Sequence, residues 1–192
     1  MNWKSQLKYL EDHKQWDTAI EFMQKIIKEC PDDLTAALYM NFLLINLLVE
    51  EDYNEQKHDY YATLIKKYFH ESYEKFSNNP EYLYYTGRIA FMSEWYFDIS
   101  KEQAENMIFT AMNMEPNNLI YQWAYYSSNH EKDYKNPQEA IKYAQNVLDP
   151  NSEIQQILKT KGSLGEYVLD VMTGWAQRLM ISYNINTNQI YH

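Results

Sequence analysis

The stretch Trp16-Asp17-Thr18-Ala19-Ile20-Glu21-Phe22-Met23-Gln24-Lys25-Ile26-Ile27, closed by Pro31-Asp32-Asp33, decides the fold class. Its apolar residues Trp16, Ala19, Ile20, Met23, Ile26 and Ile27 recur at intervals of three and four, which is the period of one helix face. Pro31 has no backbone N–H to donate and ends the run. Just upstream, Trp3, Leu7 and Leu10 mark a second apolar stripe, separated from the first by the polar Glu11-Asp12-His13-Lys14-Gln15. Two short amphipathic helices with so brief a link fold into a hairpin.

The same reading carries along the chain. Leu34, Leu38, Leu44, Ile45 and Leu48 predict a third helix, followed by the acidic Glu50-Glu51-Asp52. Tyr61, Leu64, Ile65, Tyr68, Phe69, Tyr73 and Phe76 predict a fourth, and residues from Glu81 to about Phe97 a fifth. Ser100 and Gln103 have the spacing of a capping box ahead of a sixth helix with Ala104, Met107, Ile108 and Ala111. A seventh passes through Trp123 and Tyr126, and Asn136-Pro137 opens an eighth, since proline in a first turn costs no hydrogen bond. Ile154, Ile157 and Leu158 mark a short segment, Gly162-Ser163 a break, and Val168 to Leu179 a last helix. Residues 184–192 are polar and read as a frayed tail.

Composition agrees with helices. Hydrophobic residues make up 45%, enough to fill a core, while 4 glycines and 5 prolines are too few for the tight turns of a sandwich or barrel. The net charge of −10 comes from 27 acidic and 17 basic residues. A nucleic-acid binder gains affinity by neutralising phosphates, so that balance argues against DNA or RNA as partner. It leaves two readings: solubility, or complementarity to a basic protein. Cys30 is a single cysteine, so no internal disulfide forms, and its place on a helical stretch reads as a buried or inert thiol. Met1-Asn2-Trp3-Lys4 runs directly into a charged amphipathic segment, so no signal peptide is expected, and Leu34 to Val49 is too short and too interrupted by Asn41 and Asn46 to span a bilayer. The expected location is cytoplasmic, away from membranes.

Pro31, Pro80, Pro116 and Pro150 each follow a helix, at separations of 49, 36 and 34 residues. Helical repeats of the tetratricopeptide type have a period of about 34. The long first interval fits an insertion around Glu50 to Asp59. Ala104, Ile108, Ala111 and Pro116-Asn117-Asn118 reproduce the spacing of Ala19 through Pro31-Asp32-Asp33. Tyr134 with Ala140-Ile141-Lys142-Tyr143 is a weaker copy. In these residues the chain resembles a divergent tetratricopeptide-repeat protein over residues 1–150. Small residues at fixed points let paired helices approach, and Tyr85-Thr86-Gly87 resembles such a stretch on a first helix. The match departs from the pattern at Ile26 and across Tyr68 to Phe76, which lacks the alanines. The resemblance implies an all-α solenoid of about four antiparallel helix pairs, with capping helices over 151–183. A helical bundle without repeats is the alternative.

No motif for catalysis or a cofactor is present: no phosphate loop, no Gly-x-Ser-x-Gly, no His-Glu-x-x-His, no Cys-x-x-Cys. Glu55, His58 and Asp59, and the pair His70-Glu71, gather metal-ligand types but read as solvated charge, so neither metal nor cofactor is expected. The chain reads as a non-enzyme. Its unusual feature is 19 tyrosines and 5 tryptophans, residues that dominate protein interfaces. Tyr82-Leu83-Tyr84-Tyr85 and Tyr121-Gln122-Trp123-Ala124-Tyr125-Tyr126 place aromatics around whole helices. The resemblance assigns those helices to a concave groove, so Tyr84, Tyr85, Arg88, Tyr121 and Tyr125 are the expected partner-binding residues, with at least one tyrosine of each cluster exposed. Lys4 and Lys8 suit the basic clamp such grooves use for a peptide carboxylate, but Tyr39 and Phe42 stand where its other members belong, so no clamp is expected. The function expected is a protein-interaction module. The alternative is an immunity protein that neutralises a basic toxin, a nuclease among the candidates, by stoichiometric binding.

Overall fold

The computed structural model of the chain describes residues 3–91, 93–130, 133–134 and 136–189. These are all-helical apart from one two-residue antiparallel ribbon, in which Asn129 faces Tyr134 and His130 faces Asp133. No described helix is long and apolar enough to cross a membrane. The chain divides into two compact units, Met1–Glu115 and Pro116–His192.

In the first unit, α1 (Trp3–Asp12) buries Leu7 and Leu10, and α2 (Trp16–Glu29) buries Trp16, Ala19, Ile20 and Met23. The hairpin expected from their stripes forms, and Lys14 makes the turn with φ 52°. Cys30 caps α2 and is exposed, because it lies past the last helical turn where no facing helix covers it. The Asp33 carboxylate caps α3 (Leu34–Glu50) by accepting the N–H groups of Thr35 at 2.8 Å and Ala36 at 3.2 Å. A helix apolar all round must be buried all round. α3 accordingly has α2, α4 (His58–Phe76) and α5 (Pro80–Ala90) packed against it. A short 3₁₀ turn, Glu55–Lys57, leads into α4.

Asn79 caps α5 and Pro80 opens it, one residue before the Glu81 start expected from sequence. The fifth helix is shorter than its pattern. It ends at Ala90, and after a turn the four-residue α6 (Glu94–Phe97) follows, closed by Asp98 at φ 58°. The break falls where the Ser93 N–H bonds Ala90 O, three residues back, rather than continuing the four-residue ladder. α7 (Lys101–Met114) begins with the predicted capping box: Ser100 N–H to Gln103 Oε1 at 2.7 Å and Gln103 N–H to Ser100 Oγ at 3.1 Å. α7 lies against α5 with Gly87 at the contact. A Cβ there would meet Ala104 O and the Met107 Cβ at 2.9 Å each. Ala104 and Ala111 across the contact are fully buried.

One polar network ties α3, α4 and α5 together inside this unit. Asn41 Nδ2 donates to Ser72 Oγ at 3.1 Å, and Ser72 Oγ and Tyr82 Oη share a 2.7 Å hydrogen bond. Burial pushes the Tyr82 phenol up to about 12, against the opposing effect of its hydrogen bond with Ser72, so the hydroxyl stays protonated. Tertiary contacts of this kind fix helix register, because a slip would orphan buried polar groups.

In the second unit, α8 (Leu119–Ser127) packs on α9 (Pro137–Leu148), where Ala140 and Ala144 are fully buried. Asn136 caps α9 by accepting the Glu139 N–H. α10 (Glu153–Lys159) and α9 both pack on α11 (Gly162–Gln189), and the Trp123 and Trp175 rings meet edge to face at 6.2 Å. Gly162 at φ 54° makes the reversal between α10 and α11 that a residue with a Cβ would resist. The sequence boundary near 150 marks the end of the alignable pairs, whereas the contacts group α8 to α11 together. α11 continues to Gln189, past the residue 184 at which the sequence suggested fraying, and 190–192 lie outside the described residues.

Candidate functional site

Tyr84, Tyr85 and Arg88 lie on α5 in the first unit, and Tyr121 and Tyr125 on α8 in the second. The expectation of an exposed tyrosine on α5 is corrected. Tyr82 and Tyr84 are 0% and Tyr85 is 3% exposed, while Arg88 is half-buried. Adjacent residues do diverge around a helix, but α5 is covered by α3 on one side and α7 on another, so divergence leads from one neighbour to the next. Tyr84 and Tyr85 instead pack edge to face at 4.8 Å. On α8, Tyr121 is buried and Tyr125 half-buried, its ring 5.1 Å from that of Tyr126. Tyr126 stacks at 5.9 Å on Tyr143 of α9. Lys4 sits over the rings of Trp3 and Tyr39, and Lys8 bonds Asp12 at 2.6 Å.

Two other features of the first unit face solvent. The first is a cleft of about 400 Å³ between α4 and α7. Its floor is Phe69, Leu83 and Met107, all buried; its rim carries His70 and Tyr73 from α4 and Asn106 and Thr110 from α7. These positions repeat at three and four along each helix, so the cleft is the seam between two facing stripes. The left-handed turn at Asp98 closes one end, and Tyr73, 40% exposed, stands at the mouth. An apolar floor under amide, hydroxyl and imidazole groups accepts an apolar side chain and hydrogen-bonds the backbone beside it.

The second feature is a row of rings around the Glu50 to Asp59 segment. Tyr60 lies 5.6 Å from Tyr61, and Tyr61 meets Tyr53 edge to face at 5.5 Å. Tyr53 stacks on His58 at 6.2 Å and shares a 2.6 Å hydrogen bond with its Nδ1. His58 then approaches Tyr96 at 5.8 Å, and Tyr96 approaches Trp95 at 5.6 Å. Tyr61 is buried and donates its hydroxyl to Asp17 at 2.9 Å. Burial and that carboxylate push its phenol far up, while the Lys57 ammonium, followed by the Tyr61 hydroxyl, holds the Asp17 carboxyl below its ordinary range. The ends of the row are open: Trp95 is 60% and Tyr60 51% exposed.

Glu55, His58 and Asp59 do not converge on a metal position, and no group of three such ligands does among the described residues. His58 is engaged by Tyr53 instead. The cleft residues were not singled out from sequence because Asn106 and Thr110 look like solvated helix positions. A signal existed in Gln103, Asn106, Met107 and Thr110, which share one face and mix polar with apolar types. The row draws its rings from α4, α6 and the loop before α4, so only tertiary structure brings them together. No protein-family model matches the chain, and no curated protein matches it.

Proposed function

We propose that the protein is a non-catalytic interaction module that holds a protein or peptide partner against the face formed by α4 and α7, within a divergent tetratricopeptide-like array of helix pairs. The cleft over Phe69, Leu83 and Met107 carries this reading, because an apolar floor with amide and hydroxyl rims matches a peptide's alternation of side chain and backbone. Repeat-like packing supports the array: Ala19, Ala104 and Ala140 are all fully buried, and Gly87 admits α7 at close range. The binding helices of this reading are the second members of neighbouring pairs, not the first members that hold Tyr84 and Tyr121.

The second reading, an immunity protein acting on a basic toxin, is favoured by the net charge of −10 and by the acidic residues that neighbour the row in the chain, Asp52, Glu55, Asp59 and Glu94. Both readings share stoichiometric binding without chemistry. The test is affinity capture with the intact chain and with Thr110→Trp, whose indole fills the cleft from an exposed position. Capture of a defined partner is lost in Thr110→Trp while the melting curve is kept. Undiminished capture by the folded variant removes the cleft from the account.

A further inference from the structure

We propose that the row from Tyr60 to Trp95 is the docking surface for an arginine- and lysine-rich segment of the partner protein, an inference that rests on the reading of the chain as a protein-binding module. Two independent features of the surface specify the same guest. The first is the rings. A guanidinium or ammonium is attracted to the face of Trp or Tyr, and Trp95 and Tyr60 offer exposed rings at the two ends of the row. The rings between them are held in place: Tyr61 by Asp17, and Tyr53 by His58. A guest therefore meets side chains that have already lost much of their freedom.

The second feature is charge. The lysines that reach this region are matched, Lys14 with Glu51 at 3.0 Å and Lys57 with Asp17. Glu50, Asp52, Glu55, Asp59 and Glu94 each lie within three positions of a row residue in the chain and make no ion pair among the described residues. Like charges so gathered repel one another, and a cationic guest relieves that repulsion. A nucleic acid or an acidic segment adds to it. A second copy of this chain brings its own −10. A purely apolar guest strips water from carboxylates and returns no partner. Arginine is favoured over lysine, because its planar group both stacks on rings and bonds carboxylates in pairs.

Calorimetric titration of the full chain with a short synthetic peptide alternating arginine and glycine, and with the same peptide carrying glutamate for arginine, tests the row. The arginine peptide binds, the glutamate peptide does not, and binding weakens as sodium chloride is added. Trp95→Ala and Tyr60→Ala each weaken it about two- to fivefold with melting unchanged. Glu55→Gln with Asp59→Asn lowers affinity and flattens the salt dependence. Equal binding of the two peptides, absence of binding, or an affinity untouched in the folded Trp95→Ala, Tyr60→Ala double variant overturns the inference. If Thr110→Trp still abolishes partner capture when the peptide titration fails, the row falls and the binding module stands.

Discussion

Two groups of tyrosines in the first unit have the same composition and opposite fates. On α5, Tyr82, Tyr84 and Tyr85 are core residues; around the Glu50 to Asp59 segment, Tyr53, Tyr60 and Tyr96 lie in a row that reaches the surface. The first group looked like the interface in sequence because three tyrosines within four residues exceed what one buried face can hold. α5 has more than one buried face, with α3 and α7 both packed against it. The second group is scattered along the chain, with Tyr53 in the acidic segment, Tyr60 on α4 and Tyr96 on α6, so no cluster marks it in sequence. What a helix is flanked by, and not how many aromatics it carries, decides which rings a partner can reach.

Breaking the packed side of this comparison has the largest effect. Ala104→Asp and Ala19→Asp each place a carboxylate at a fully buried helix contact without a counter-ion, a cost comparable to a domain's whole stability of about 5–15 kcal/mol. Neither is expected to give a cooperative melting transition. A normal transition in both would mean that these alanines face water.

A matched pair of truncations sharpens the contrast between the two groups. Tyr82→Ala empties a core site and removes one buried hydrogen bond of Ser72, which calls for a loss of about 3–5 kcal/mol by urea unfolding. Tyr60→Ala removes a half-exposed ring and stays within about 0.5 kcal/mol of the parent. Similar losses at the two positions would erase the distinction.

The smallest effect is a titration beneath the row. The Asp17 carboxyl is held below its ordinary value of 3.8 in the folded chain, chiefly by the hydrogen bond from Lys57 and then by that from Tyr61. A depressed folded value stabilises the chain above the unfolded value, and that contribution disappears as pH falls through the folded one. Parent and Asp17→Asn should therefore differ in urea midpoint at neutral pH and converge in acid. Because Asp17 is half-exposed, the gap is small. A gap that widens in acid would reverse the sign and contradict the Asp17–Lys57 contact.

Local signals in the sequence located nearly every helix, since stripes such as Trp16 to Ile27 and caps such as Ser100 with Gln103 act within a few residues. The resemblance to repeat helices, rather than any local signal, pointed to Gly87 and Ala104 as points of close approach. The break after Ala90 was not legible, because no glycine or proline marks it and the Ser93 N–H turns to Ala90 O, three residues back. The burial of Tyr84 and Tyr85 was not legible either, for it depends on which helices surround α5. The aromatic row joins residues up to about forty positions apart, a relation that no periodicity encodes.

The central claim is that the α5 tyrosines are sealed while the rings at the ends of the row are open. Hydroxyl-radical footprinting of the folded chain, read residue by residue by mass spectrometry, measures this directly. Trp95 and Tyr60 should be oxidised fast, Tyr82, Tyr84 and Tyr85 slowly. Oxidation of Tyr84 or Tyr85 at the rate of Tyr60 would contradict the account.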